Sequence, residues 1–233
     1  MDSLVDASKQ ALMLLFSGDA TLWTIVSISF KVSAQAVLYT AVLALPLAFI
    51  LAYGHFPGRR PLIALFNSLM AVPAVVIGLT LYLLLSRSGP FGNLRLLFTQ
   101  QAMILGQMML CLPVLVAMGH SAIQAADRRA WETALTLGAS SWRAMQTLLF
   151  EVRFALFAAL IAGFGRIIAE VGSSMMVGAN ILNHTRNIPT AIALETSKGE
   201  FSQGIALGLV LLILALLLNT ALTLLQGRGE MIA

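Results

Sequence analysis

Arg166 and Glu170 stand four residues apart inside an otherwise apolar run, and Ser173, Ser174 and Asn180 follow closely behind them. Four residues is one helical turn, so on a helix these two charges share a face and can pair. Two kinds of chemistry suit the group. A guanidinium with hydroxyl and amide donors can attract and orient an oxyanion, which needs donors and positive potential rather than apolar walls; His184 and Arg186 would extend that field outward. Alternatively, the two charges neutralise each other as a structural pair, and the serines bond to backbone. An intramembrane enzyme built on Glu170 and a polar partner is a third possibility. Other site chemistries find no support. His55, His120 and His184 are far apart in the chain and Cys111 is the single thiol, so no spacing suggests a zinc site. There is no Gly-x-Ser-x-Gly nucleophile elbow and no Gly-x-x-x-x-Gly-Lys-Ser/Thr phosphate loop, so the chain is expected to be neither an enzyme nor an ATPase and to hold no cofactor or metal.

The elements that must position these residues are set by composition. Of 233 residues, 59% are hydrophobic and 10% charged, against about 25% charged in an ordinary soluble domain. That excludes a soluble globular protein. The net charge of +4 comes without any basic run longer than a pair, which disfavours nucleic-acid binding. A bilayer core takes about 20 apolar residues per helical crossing. Long apolar runs at Ser33–Tyr53, Leu62–Leu85, Ala102–Gly119, roughly Phe154–Val177 and Ile205–Leu225 predict an all-α integral membrane fold of five transmembrane helices. A sixth is possible at Ala11–Phe30, but Asp19 near its middle would cost about 2.5–3.5 kcal/mol in a bilayer. Residues 1–32 therefore read as an N-terminal interfacial segment and 33–228 as the transmembrane domain.

Arg59, Arg60, Arg128, Arg129, Arg143, Arg153 and Arg228 crowd the connections on one side, more densely than the cations on the other. The positive-inside rule places that side in the cytoplasm, the N-terminus outside and the C-terminus inside. Pro46, Pro73 and Pro113 punctuate the spans and are expected to kink them. Arg166 and Glu170 make insertion of the fourth span marginal, since two charges cost about 5–7 kcal/mol at mid-bilayer. Their face should look into the bundle or a watery pathway. The fifth span carries no charge and can face lipid, while Gly204 and Gly208 at its start permit close helix approach.

The connection 127–153 is too long to lack structure of its own. Asp127 can cap a first helix in which Trp131, Ala134, Leu135 and Gly138 share a stripe. Gly138 ends that helix, and Ser140 or Ser141 can cap a second, with Trp142, Met145, Leu148 and Leu149 as its apolar stripe. The product is a helix–turn–helix elbow with Arg128, Arg129, Glu132 and Arg143 available to a partner.

Glu132-Thr133-Ala134, three residues and then Gly138 resembles the cytoplasmic loop of ABC importer permeases, whose pattern is Glu-Ala-Ala, three residues, Gly, nine residues, Ile, one residue, Leu-Pro. Leu148 falls at the Ile position and Phe150 at the Leu; Thr133 replaces an Ala and Glu151 the Pro. The stretches Ser29–Ser33, Phe164–Gly172 and Gly178–Lys198 further resemble the molybdate and tungstate permeases, most closely the tungstate type, and the likeness covers about residues 20–228.

The resemblance implies that the loop is a coupling helix docking in a cleft of an ATP-binding subunit, with Glu132, Ala134, Gly138, Ala139, Ser140, Trp142 and Arg143 as coupling residues. It implies two ATP-binding subunits that hold ATP and Mg, an extracytoplasmic substrate-binding protein and a second copy of this chain. The function implied is translocation of tungstate across an inner membrane by alternating access, with Arg166, Glu170, Ser173, Ser174 and Asn180 as pathway candidates. Segment 180–203 would supply a half-helix near an outer gate, or else be a surface loop with a short interfacial helix. Molybdate or another oxyanion is the alternative substrate; a stand-alone channel or secondary carrier is the alternative class.

Overall fold

The computed structural model describes residues 9, 12–13, 16–126 and 128–230. Asp127, expected as a helix cap, lies outside them. Among the described residues from Ala20 onward the chain is a run of ten α-helices and one 3-10 turn, Gly92–Leu94. The helices are α1 (Ala20–Tyr53), α2 (Arg59–Leu69), α3 (Ala74–Leu85), α4 (Gln100–Ala125), α5 (Arg128–Thr136), α6 (Ser141–Glu151), α7 (Arg153–Ile168), α8 (Gly172–Gly178), α9 (Ile188–Lys198) and α10 (Phe201–Glu230). Three are long and apolar enough to cross a membrane alone: α1, α4 and Phe201–Leu224 of α10. The pairs α2 with α3 and α6 with α7 raise the number to five if each counts as one broken span.

The membrane helices differ from the apolar runs in instructive ways. The run beginning at Ser33 is the later part of α1, which starts thirteen residues earlier, at Ala20. Asp19 does not sit mid-span: its side chain accepts from the Leu22 amide at 2.7 Å and caps α1. The run Leu62–Leu85 is two helices, because Pro73, with extended ψ of 132°, caps α3 at a break. Pro46 and Pro113 lie inside α1 and α4, which continue through them. The run Phe154–Val177 is also two helices, so Glu170 lies beyond the end of α7 rather than inside a span. In their most apolar windows α4 is 67% buried but α10 only 11%, so the rest of the chain leaves α10 largely uncovered.

Two compact units emerge. One comprises α1 up to Ala36 with Val72–Leu110 and Gly165–Leu217. Its core packs Leu22, Ile25 and Val26 of α1 against Ile188 and Ala191 of α9 and Ala206 and Leu207 of α10. The other comprises Val37–Ala71, Cys111–Phe164 and the end of α10 from Leu218. There Ala48 and Ala52 of α1 meet Ile123 of α4, Leu148 of α6 and Leu156 of α7. Gly163 admits α7 to α4, where an added Cβ would stand 3.0 Å from Cys111 Sγ. Arg59 satisfies the carbonyls at the end of α1, donating to Ala52 at 3.0 Å and also to Leu51.

Candidate functional site

Within the second unit, α5 and α6 form the elbow. The Ala139 amide donates to the Ala134 carbonyl and the Gly138 amide to the Leu135 carbonyl, both at 3.0 Å, and Gly138 has φ +83°. These two bonds are a Schellman motif, whose left-handed position favours glycine. The four-residue spacing of Ala134 and Gly138 is thus the spacing between the carbonyl and the left-handed residue of one helix stop. Ser140 then caps α6, accepting from the Arg143 amide at 3.4 Å; Ser141 is the first residue of α6.

The elbow is held from inside and bare outside. Trp131 packs against Phe49 and Tyr53 at the end of α1, ring centroids 5.5 and 5.2 Å away. Ala144 and Leu148 are fully buried, with Leu149 packed on the same core. Trp142, expected on that inner stripe, instead points away and is 64% exposed, and Leu137 at the bend is 82% exposed. Glu132 and Arg143 are exposed as well. The bend therefore offers an apolar tip of Leu135, Leu137 and Trp142 flanked by charge. Leu137 carries no sequence signal beyond being apolar next to a helix-stop glycine.

Within the first unit lies the break between α7 and α8. Arg166, in the last turn of α7, donates to Glu170 Oε2 at 2.6 Å, while Glu170 Oε1 accepts from the Gly172 amide at 3.0 Å. Glu170 thus holds both the arginine and the start of α8. Ser173 and Ser174 are buried, and their hydroxyls have no partner among the described residues. Ser173 faces two glycines. A Cβ on Gly78 of α3 would stand 2.8 Å from Ser173 Cα, and one on Gly106 of α4 would stand 3.7 Å from its Oγ. Gln107, beside Gly106, donates to the Ile167 carbonyl at 3.4 Å and keeps a buried, unpartnered Oε1. Sequence reasoning missed Gln107, because it is one of four glutamines in a 26-residue helix and has no local signature of its own.

Asn180 sits elsewhere in this unit, in a tight loop with Ala179 and Asn183 also at positive φ. Its amide donates to the Thr190 carbonyl at 3.2 Å, and Oδ1 is buried without a partner among the described residues. The segment that follows holds a helix, α9, buried along its first turn and exposed toward its end: Asn187 and Thr190 form a capping box, and the Ile188 amide donates to Ser29 of α1 at 2.6 Å. Glu195 in α9 is buried between Arg186 at 3.8 Å and Lys198 at 3.2 Å. One carboxylate between two cations leaves a net positive charge there.

Residues 44–228 match the family model of the binding-protein-dependent transport system inner membrane component. The tungstate uptake system permease protein TupB of Campylobacter jejuni is 39% identical over 94% of this chain and 92% of its own. A probable anion ABC transporter permease protein of Haloferax volcanii is 41% identical over 87% and 90%. The molybdenum transport system permease protein ModB of Escherichia coli is 27% identical over 76% and 82%. Among solved structures, a chain of the methionine ABC transporter MetNI, captured in inward-facing conformations, superposes with a TM-score of 0.62 at 17% identity, covering 95% of each chain. That likeness is one of fold.

Proposed function

This chain belongs to the family of binding-protein-dependent transport system inner membrane components, and from that membership we propose that it is the permease subunit of an ABC importer that carries tungstate inward by alternating access. The observation that carries the proposal is the 39% identity, over nearly the whole of both chains, to a tungstate uptake permease. Two copies of the chain form the pore. Each rests its elbow on one ATP-binding subunit, where ATP and Mg are held, and an extracytoplasmic binding protein delivers the anion. The elbow faces the cytoplasm, with the N-terminus outside and the C-terminus inside.

The elbow supports the coupling part of this reading. Its bend is closed by backbone bonds and a serine cap, so its shape survives while Leu137 and Trp142 leave it for a cleft. Burying an apolar side chain of that size in a partner is worth about 1.5–3 kcal/mol, and Glu132 and Arg143 fix the register. Movement of the ATPase is then delivered through Trp131 to the end of α1.

The substrate part rests on chemistry as well as identity. A tetrahedral oxyanion must be held loosely enough to leave. The paired Arg166 and Glu170 present little net charge and Ser173 and Ser174 beside them are neutral, so this set guides an anion without trapping it, with the neutral Asn180 apart from it in the loop after α8. Isolating the native complex and identifying the anion on its delivery protein by mass spectrometry tests the proposal. Tungstate is expected. Sulfate or molybdate in its place would overturn the substrate, and isolation of the chain with no ATP-binding subunit would overturn the class.

A further inference from the structure

The connection between α3 and α4, residues 86–99, is a built structure rather than a slack loop. A Cβ on Gly89 would stand 2.2 Å from the Leu83 carbonyl oxygen, and one on Gly92 would stand 2.5 Å from that of Ser86, so the chain folds tightly back on the end of α3. Arg95 and Phe98 take positive φ of 50° and 65°. The Phe91 amide donates to Leu84 at 3.0 Å and the Phe98 amide to Val177 at 2.8 Å, which pins both ends. The fold lines an open-mouthed cleft of about 920 Å³ with Tyr82, Leu85, Arg87, Asn93, Arg95 and Phe98, among others.

Its charge is one-sided. Residues 86–99 contain two arginines and no carboxylate. Both arginines are exposed, and neither side chain meets a hydrogen-bond or ion-pair partner among the described residues. Its apolar part is equally particular. Leu85 is buried at the base, Tyr82 and Phe98 stand with ring centroids 6.3 Å apart, and Phe91 and Leu94, flanking Asn93, are 51% and 59% exposed. Aromatic side chains with cations beside them at the end of a membrane helix are the pattern of the membrane–water interface, on either face of the bilayer.

We infer that this cleft binds the headgroup of an anionic phospholipid, with Arg87 and Arg95 on the phosphodiester, Asn93 on the polar headgroup and the Leu85–Phe98 wall against the glycerol and the first acyl carbons. Size separates this ligand from a free oxyanion. Water takes about 30 Å³ per molecule in the liquid, so a five-atom anion fills a small part of the space, whereas a headgroup with its glycerol is of the size that cavities of about 300–1,000 Å³ enclose. The guanidinium fork matches phosphate oxygens. The inference rests on α3 lying in a membrane and is independent of which anion the protein transports.

The full chain is placed in nanodiscs of phosphatidylcholine containing a minor fraction of phosphatidylglycerol, and the lipids retained after release are counted by native mass spectrometry. The wild type is expected to retain phosphatidylglycerol at least fivefold over its share of the bilayer, R87Q/R95Q to lose that preference, and 1 mM tungstate to leave it unchanged. Retention of phosphatidylglycerol by the wild type only in proportion to its share of the bilayer overturns the inference without reference to any variant. Displacement by tungstate overturns it in favour of a free-oxyanion site. An unchanged lipid preference in R87Q/R95Q, together with lost uptake from the delivery protein, overturns it in favour of an acidic protein partner.

Discussion

The elbow at residues 134–140 and the α7–α8 break at residues 169–171 both interrupt a helix, and both carry local bonds, yet tight packing against neighbouring backbone is found only at the break. The elbow is closed by bonds between residues at most five apart: the Schellman pair and the Ser140 cap. Its side chains are left outward, Leu137 most of all. The break is closed by Glu170 and by tertiary contact. On its α8 side a Cβ on Gly172 would meet Val75 at 2.6 Å, and one on Gly78 would meet Ser173 at 2.8 Å. A locally closed turn can be presented whole to a partner, whereas a turn fixed by packing cannot change without moving its neighbours.

That contrast can be broken by substitution. The largest effect is expected at Gly78. In Gly78→Leu the new side chain meets the Ser173 backbone, and overpacking of this kind costs about 3 kcal/mol. Loss of folded protein, read by size-exclusion chromatography in detergent, is the expected outcome; a normal profile would show that α8 is not fixed by packing. Next comes Gly138→Pro. Proline cannot reach φ +83° and lacks the amide that closes the bend, so the turn opens at a cost of about 3 kcal/mol. Because the damage is local, insertion and melting temperature should stay near wild type while ATP-driven uptake falls to background. Trp131→Ala removes the elbow's anchor on Phe49 and Tyr53, worth about 2 kcal/mol, and should make residues 128–151 more open to protease without unfolding the spans.

The smallest effects belong to Glu170. Glu170→Gln keeps an acceptor for the Gly172 amide and loses only an ion pair whose arginine is 43% exposed, so about 0.5 kcal/mol is expected. Glu170→Ala loses both and should lower the melting temperature more. Equal melting temperatures for the two variants would show that the bond to Gly172 contributes nothing.

Local rules made the elbow legible in the sequence. A helix-stop glycine, a capping serine and an apolar stripe all act within one or two turns, and Gly138, Ser140 and Leu148 took the places those rules give them. Where tertiary contact or a competing cap decides, hydropathy alone misleads. Asp19 counted against a span because its apolar neighbours extend both ways, yet it caps α1. The apolar runs through Pro73 and Glu170 continue across breaks that hydropathy does not register, since neither residue is flanked by a polar stretch. Trp142 fits the inner stripe by periodicity, but Ala144 and Leu148 already fill the contact, so it faces outward. Gln107 and Glu195 gain meaning only from Ile167, Arg186 and Lys198, which the fold brings to them.

The claim that the elbow's bare tip is the coupling surface is tested most directly at Leu137. Being 82% exposed, it can be changed to aspartate without disturbing the fold. With an affinity tag on this chain, the wild type should retain the ATP-binding subunit on purification and support ATP-driven tungstate uptake in vesicles. Leu137→Asp should lose both while keeping the wild-type melting temperature. Retention of the subunit together with normal uptake by Leu137→Asp would contradict the account.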